Sequence, residues 1–304
     1  MSRAISPSSA RPFSLVRVCR LSGVPRATAQ AHRALAQVPA ELRPVRRRPG
    51  PVGACTDGEL ALAIRWEIAA SPWHGEGYRK IWARLRFRGI RTGRDRVLRI
   101  MREQQLLSPQ RAPDLVAKWL HDGTITTDTP DEMWGTDMTE TITLDDGRAY
   151  VFINVDHCTG ELIGVHAARH PNRWEALEPI RQGVREQFGK FMPGIAAGLK
   201  LRHDHGTQYM SHDFQAEIAL LGIESSPSFV RQPEGNGIAE RFIRTLKENL
   251  LWIEHFDTIE DLRLALQRFK NTYNQEWILE RHGYLTPTQK RATLTPPLTL
   301  EIAA

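Results

Sequence analysis

Asp204 and Glu240 are separated by the 35 residues 205–239, and each sits in a local string, HDHGTQY and EGNGIAERFIRTLK, that is built to aim a carboxylate. With Asp137 upstream they make a candidate three-carboxylate metal site, because Mg²⁺ is a hard ion that prefers oxygen ligands. The chemistry that needs such a site is in-line attack at a phosphodiester. There, two divalent cations about 4 Å apart activate the nucleophile and stabilise the leaving oxygen.

The chain around these acids has 304 residues, enough for one large domain and one or two small ones, and its 41% apolar composition allows a sizeable core. Residues 1–118 carry 23 Lys and Arg against 8 Asp and Glu, net +15, whereas 119–304 carry 18 against 27, net −9. The formal charge of +6 therefore hides two opposite halves. A basic arm on a body of opposite sign is the footprint of a nucleic-acid binder, since Lys and Arg release counterions from phosphate. The plainer reading of the same charges is a solvated face.

Three cysteines, Cys19, Cys55 and Cys158, give neither a disulfide framework nor a zinc pattern and fit a reducing cytoplasm. No apolar run approaches the roughly 18 residues of a membrane span. Residues 1–40 contain no acid and imitate an organelle transit peptide, but Leu15 to His32 also reads as helical.

The acids must be positioned by elements that the pattern marks out. Residues 39–53 are proline-rich and basic and read as a linker, 108–135 as a connection, and the Thr- and Pro-rich end as a tail. The expected division is a basic segment at 1–50 with a second, weaker helix-turn-helix (Val16 to His32, turning at Leu21-Ser-Gly-Val24), a helix-turn-helix region at 51–118, a catalytic core at 119–290 and an extended tail at 291–304. Gly77 to Leu107 reads as two helices joined at Gly89. The first buries Ile81, Trp82 and Leu85; the second starts at a Thr92/Asp95 capping box and has an apolar stripe of Val97, Leu98 and Met101. That leaves Arg94, Arg96, Arg99 and Arg102 for DNA, as on the second helix of a helix-turn-helix.

In the body, Thr136 to Leu144 and Ala149 to Val155 predict a hairpin, and Leu162 to Ala168 a third antiparallel strand. Helical spacing at Asn172 to Phe188, a short strand Leu199 to His203, a helix Ser211 to Leu221 and a parallel strand Ile223 to Ser226 follow. The fold class is α/β, a mixed sheet with helices on both faces. Asp137 then lies on a central strand and Asp204 at the carboxyl end of the fourth, where ligands gather in open α/β sheets. Glu240 lies on a helix capped by Asn236. There Ile238, Phe242, Leu246 and Ile253 face the core, while Glu240, Arg244 and Lys247 share another face. Arg244 and Lys247 are candidate DNA contacts or simply solvated helix charges.

Other polar groups read more plainly. Asp156 beside His157 is a turn residue. His203 and His205 are the kind of imidazoles a zinc hydrolase uses, but no further His or Cys completes a site. His205 positions substrate or scaffolds the loop, and Gly206 permits the turn. Trp82, Trp134 and Trp252 read as packing residues.

From about Arg17 to Gln289 the chain resembles the second-frame transposases of the insertion sequence three family, relatives of retroviral integrases. WGTDMTE carries Asp137, HDHGTQYMS carries Asp204, and EGNGIAERFIRTLKENL carries Glu240 with Lys247 seven residues on. TYNQEW, HGYLTPTQ and HGEGYRKIWARLRFRG match the closing segment and the helix-turn-helix. The resemblance implies a ribonuclease-H-like core, a five-stranded mixed sheet with flanking helices preceded by an all-α helix-turn-helix region. It implies that Asp137, Asp204 and Glu240 bind two Mg²⁺ or Mn²⁺ ions. The implied activity is nicking at the ends of an insertion element and joining of the freed 3′-hydroxyl to target DNA, with no covalent protein intermediate. It further implies a bacterial, nucleoid-associated protein, an upstream-frame partner or fusion, and a homo-oligomer in the DNA complex. The rival readings are a decayed element protein that only binds DNA and a stand-alone ribonuclease-H-type nuclease.

Overall fold

Alternation of small and β-branched residues from position 149 onward sets the centre of the fold, because successive side chains of a strand point to opposite faces. A computed structural model of the protein describes residues 5, 7, 9–39, 55–108, 125–228 and 236–294. The linker expected at 39–53, apart from residue 39, lies outside the described residues, as does much of the connection at 108–135. Of the extended tail expected at 291–304, residues 291–294 are helical instead, continuing the helix that starts at Pro287, and the rest lie outside the described residues. The chain forms two compact units, Met1–Val52 and Gly53–Ala304.

In the first unit, α1 (Leu15–Ser22) is capped by the Ser14 hydroxyl, which accepts from the Arg17 amide at 3.3 Å. It ends at Gly23, whose φ of 66° is the left-handed value that favours glycine. α2 (Arg26–Gln37) follows, so the turn lies at the expected Leu21-Ser-Gly-Val24.

The second unit begins with three helices, α3 (Asp57–Ala70), α4 (Tyr78–Phe87) and α5 (Arg94–Glu103), around Leu60, Ile64, Ile81, Leu85, Val97, Ile100 and Met101. α3 is an addition to the expected pair, and it holds the true capping box, formed by Thr56 and Glu59. The box expected at Thr92 is absent: Gly93 is the N-cap of α5 and makes no side-chain bond. The Thr92 carbonyl instead accepts from Trp82 Nε1 at 2.8 Å, which leaves Trp82 half-buried beside the turn.

The sheet holds β1 (Met133–Thr143), β2 (Gly147–Asp156), β3 (Leu162–Ala168), β4 (Lys200–His203) and β5 (Glu224–Pro227) in the order β3-β2-β1-β4-β5. The first three are antiparallel; β4 pairs parallel with β1 and β5 parallel with β4. The order is that of the ribonuclease-H-like fold. α6 (Arg173–Phe188) makes the crossover to β4, and α7 (Thr207–Met210) and α8 (His212–Leu220) the crossover to β5. α9 (Gly237–Leu246) runs into a π-helical turn (Lys247–Leu251), then come α10 (Ile259–Glu276), a 3₁₀ turn (Glu280–His282) and α11 (Pro287–Leu294).

Two cores result. Ala149, Val151, Ile153 and Val155 of β2 pack with α9 and α10, whereas Phe152 packs with α6, α8 and Trp134. Ile238, Phe242 and Leu246 are buried as expected, but Ile253 is 41% and Trp252 69% exposed. Helical geometry stops at Leu251, so the spacing that would turn these two inward no longer applies.

The helical cluster meets the helices that cover the sheet. Trp73 lies edge-on to Phe269 and Trp277, the His74 amide donates to Asn249 Oδ1 at 2.9 Å, and Lys80 Nζ stands 2.9 Å from the Trp277 ring centre. Burial there pushes the Lys80 pKa down to about 7.

On the opposite face α6 approaches β3 so closely that a Cβ at Gly164 would lie 2.0 Å from the Pro179 carbonyl oxygen, and one at Gly183 would lie 2.4 Å from Ile163 Cγ2. Backbone cannot yield as a side-chain tip does. Gly164→Ala is expected to destabilise the protein by about 1–3 kcal/mol through overpacking. Chemical denaturation checks this, and an unchanged midpoint would show that α6 slides freely on the sheet.

Candidate active site

β1 has hydrogen-bonded neighbours on both sides, so a side chain on it is held as firmly as the sheet allows. Asp137 is half-buried there, opposite Ile153 of β2, next to a fully buried Thr136 whose hydroxyl donates to the Ile153 carbonyl at 2.8 Å. Its Oδ1 accepts from the Met138 amide at 2.8 Å. Burial pushes the carboxyl pKa up to about 7; the charges of Asp204 and Glu240 push the same way, while the Met138 N–H and Lys247 oppose them. These effects identify the surroundings of Asp137: two further carboxylates and one ammonium.

Asp204 is exposed and directly follows β4. Its neighbour His203 is fully buried and braces it. His203 Nδ1 donates to the Asp204 carbonyl at 2.6 Å, which fixes the tautomer, and Nε2 accepts from the Ser225 hydroxyl of β5 at 2.9 Å. Burial lowers the His203 pKa, so this imidazole is a neutral strut. Asp204 Oδ1 accepts from the Gly206 amide at 2.8 Å. Glycine at 206 is not required by a special turn conformation, and the atoms nearest a Cβ there are side-chain tips that can yield. Its φ is −55°, open to any residue, and a Cβ would lie 2.9 Å from Asp204 Oδ1 and 2.6 Å from Gln208 Nε2.

Glu240 is exposed in the first turn of α9. Asn236 precedes that helix but is no side-chain cap: its Nδ2 donates to the Thr136 carbonyl at 3.0 Å, one residue from Asp137. This bond ties the helix carrying Glu240 to the strand carrying Asp137. A Cβ at Gly135 would meet Asn236 Oδ1 at 3.0 Å and His157 Nε2 at 2.6 Å, so the strand must be bare there for the tie to form.

The structure thus brings Asp137, Asp204 and Glu240 into one electrostatic neighbourhood. Among the described residues, no three His, Cys, Asp or Glu side chains are gathered tightly enough to hold a metal ion. Lys247 joins the same neighbourhood, half-buried at the start of the π-helical turn, and Arg244 is exposed one turn earlier.

The α5 arginines belong to another surface. Arg96 and Arg99 both grip Asp57 at the start of α3, at 2.7 and 2.6 Å, and Arg99 also pairs with Glu103 at 2.9 Å. Arg94 and Arg102 are exposed, Arg94 lying 5.7 Å from the Trp82 ring centre. Asp156 is fully buried and accepts from Thr159 and from the Asp131 amide, as a turn residue does.

Three groups have roles that sequence reasoning misses. Sequence reading makes Asn236 a cap and leaves His203 in an incomplete metal site, and in neither case reveals the brace it forms. Tyr209 is fully buried, with its hydroxyl among Thr136, Gln208 and the Asp137 and Asp204 charges but in no well-formed hydrogen bond; burial first, then those charges, raise its pKa. The available signal is a tyrosine five residues after an acid at a strand end.

The sequence matches two models described as integrase core domain, over residues 127–233 and 221–287, and one described as HTH-like domain over 70–113. It is 28% identical over 203 residues to the transposases InsD of insertion elements IS2D and IS2H from Escherichia coli strain K12, covering 65% of this chain. The match spans just under two thirds, 66%, of those relatives' length. Similar solved structures include a simian T-cell lymphotropic virus intasome (18% identity, TM-score 0.46, 71% of this chain and 72% of that one). Another is the HTLV-2 integrase catalytic core domain with magnesium (19% identity, TM-score 0.40, 54% and 97%). Over residues 127–287 the chain thus carries an integrase core domain, preceded at 70–113 by an HTH-like domain.

Proposed function

We propose that this chain cleaves DNA at the ends of an insertion element and joins the freed 3′-hydroxyl to target DNA, with Asp137, Asp204 and Glu240 as its metal-binding carboxylates. The observation that carries this reading is the response of Asp137 to the charges of the other two acids on the middle strand. The donor set fits two Mg²⁺ or Mn²⁺ ions: all three are hard oxygen ligands, and an Asp137 that resists ionisation up to about pH 7 is a site short of positive charge. Bound cations supply charge neutralisation at the scissile phosphate and activation of the attacking hydroxyl. Asp204 and Glu240 are exposed, so their carboxylates are accessible to arriving ions.

The remaining roles follow from placement. Lys247 and Arg244 hold phosphates beside the acids, and the α5 helix with Arg94, Arg96, Arg99 and Arg102 holds duplex DNA. In our division of the chain into 1–50, 51–118, 119–290 and 291–304, the two middle parts are supported by the HTH-like and integrase-core matches at 70–113 and 127–287, whereas α11 runs across the expected start of the tail. An upstream-frame partner or fusion, a homo-oligomeric DNA complex and a place on the bacterial nucleoid complete the reading. Among the described residues no helix is long and apolar enough to cross a membrane.

A strand-transfer assay with labelled terminal DNA tests it: a transposase yields joined product, a nuclease only cleavage, a decayed binder neither. Glu240→Gln is expected to lose cleavage and joining at least about a hundredfold, beyond the 10–100-fold typical of losing an outer-shell partner, while metal-free DNA binding stays nearly unchanged. Joining at the wild-type rate would remove Glu240 from the site.

The raised Asp137 pKa gives a second test. In the folded protein the carboxyl holds its proton more tightly than in the unfolded chain, where 3.8 applies. The stabilisation is therefore complete below pH 3.8 and disappears as pH rises through about 7. Metal-free Asp137→Asn should match the wild type in melting temperature near about pH 4 and exceed it by a few degrees near about pH 8. Mg²⁺ should close that gap by stabilising the wild type alone. A gap independent of pH would mean that Asp137 ionises normally.

For the helical cluster, Arg94→Ala with Arg102→Ala should lower the slope of log affinity against log salt by about 0.9 for each phosphate no longer neutralised. Arg96→Ala with Arg99→Ala should also lower the melting temperature, because Asp57 loses both partners. Equal melting temperatures for the two double variants would separate Asp57 from the stability of the cluster.

A further inference from the structure

One residue after Glu240, and so about 100° around α9, Arg241 opens onto a cleft of about 170 Å³ between α9, the end of α10 and the 3₁₀ turn. Phe242, Tyr273 and Trp277 wall it, and Glu280 and Arg281 line its rim. Arg281 is held in place from behind. Gly160, with φ +73°, lets the guanidinium approach so closely that a Cβ there would stand 3.0 Å from Arg281 Nη2 and 3.0 Å from Leu279 Cδ1. Tyr273 Oη donates to the Gly160 carbonyl at 3.1 Å, and His282 Nε2 donates to the Thr159 carbonyl at 3.0 Å. The turn at 159–160 and the turn carrying Arg281 are therefore locked together.

Two cations thus face one small cleft. Both remain charged at any working pH, and the Arg241 charge adds to burial in lowering the Arg281 pKa. Among the described residues neither makes an ion pair. The carboxylate on the same rim, Glu280, pairs with Arg79 at 3.1 Å. Asp156, which attracts Arg281 from a distance, has its oxygens taken by Thr159 and the Asp131 amide. Like charges fixed near each other favour an anion between them, and guanidinium forks fit the oxygens of a phosphate.

The neighbours of the cleft select the phosphate. Glu240 is the adjoining residue of α9, so a strand whose reacting phosphate lies at Glu240 carries its backbone past Arg241. At the far side, Arg79 and Lys80 of α4 reach Glu280 and Trp277, so the basic helical cluster meets the core at this corner. We propose that Arg241 and Arg281 clamp one backbone phosphate of the DNA strand that crosses the active site. The clamp rests on the DNA reading above and adds to it a phosphate subsite outside the three acids.

The test is a fluorescence-anisotropy titration of full-length protein without metal, using a labelled blunt duplex over a range of KCl. Arg241→Gln and Arg281→Gln should each lower the slope of log affinity against log salt by about 0.9. The double variant should lose no more than either single one, because one phosphate is shared. Arg241 lies on the helix surface, so its variant carries the test even if Arg281→Gln folds poorly. In a parallel melting experiment, inorganic phosphate should raise the melting temperature of the wild type more than that of either variant. Wild-type slopes in both variants, with the wild type binding DNA, overturn the clamp and leave the transposase reading standing. Wild-type slopes accompanied by a phosphate-dependent melting shift confined to the wild type assign the cleft to free phosphate and equally overturn it. A wild type that binds no DNA overturns both readings.

Discussion

A carboxylate on the middle strand of a five-stranded sheet is the constraint from which the rest of the site follows. Asp137 cannot move away from its surroundings, because β1 is bonded to β2 along its length and to β4 at its start. Its charge is disfavoured first by burial and then by two other acids, and a single amide and one ammonium do not offset this. A group so placed is near half-protonated at neutral pH, a poor state for a structural residue. It is a good state for one that awaits a cation, because the protonation cost disappears when positive charge arrives.

The other two acids are positioned by contrast. Asp204 and Glu240 are exposed, and what the fold fixes is the backbone beneath them: His203 bridges β4 to Ser225 of β5, and Asn236 bolts the start of α9 to Thr136. Both braces are neutral. A protonated imidazole would repel arriving cations and compete with them for the acids, whereas an imidazole whose pKa burial lowers, and an amide, leave the field of the site to the carboxylates. Firm backbone under exposed side chains is consistent with carboxylates that feel one another's charge without, among the described residues, a ready-made cluster at ligating distance.

How much of this is legible in the sequence depends on whether the signal is local. Strand β3 and helix α6 can be read almost to the residue, since a short apolar run after a turn and a 3.6 period bounded by Asn172 and Gly189 are local patterns. Capping at Thr92 fails because the choice between Thr92 and Gly93 turns on Trp82, ten residues away, which takes the Thr92 carbonyl. Ile253 and Trp252 fail because a π-helical turn ends the helix early, a geometry with no simple residue code. The three acids stand out through their flanking strings, but the braces do not. Asn236 looks like any N-cap until the strand 100 residues earlier is set beside it.

Charge on the helical cluster is distributed with the same economy. Asp57 in the first turn of α3 favours that helix N-terminus and also binds Arg96 and Arg99, so one acid secures the packing of α3 against α5. Hydrogen bonds from those arginines hold the Asp57 carboxyl below its usual range, so the pairs persist at neutral pH. These pairs are partly exposed, and each contributes little on its own. If α5 meets DNA as proposed, a phosphate there would find two arginines already held at a shared anchor, and two more, Arg94 and Arg102, that lie on the exposed surface. Pre-orientation lowers the side-chain entropy lost on binding. An acid inside a basic helix-turn-helix is thus compatible with DNA binding, since it converts flexible cations into directed ones while cancelling only part of their charge.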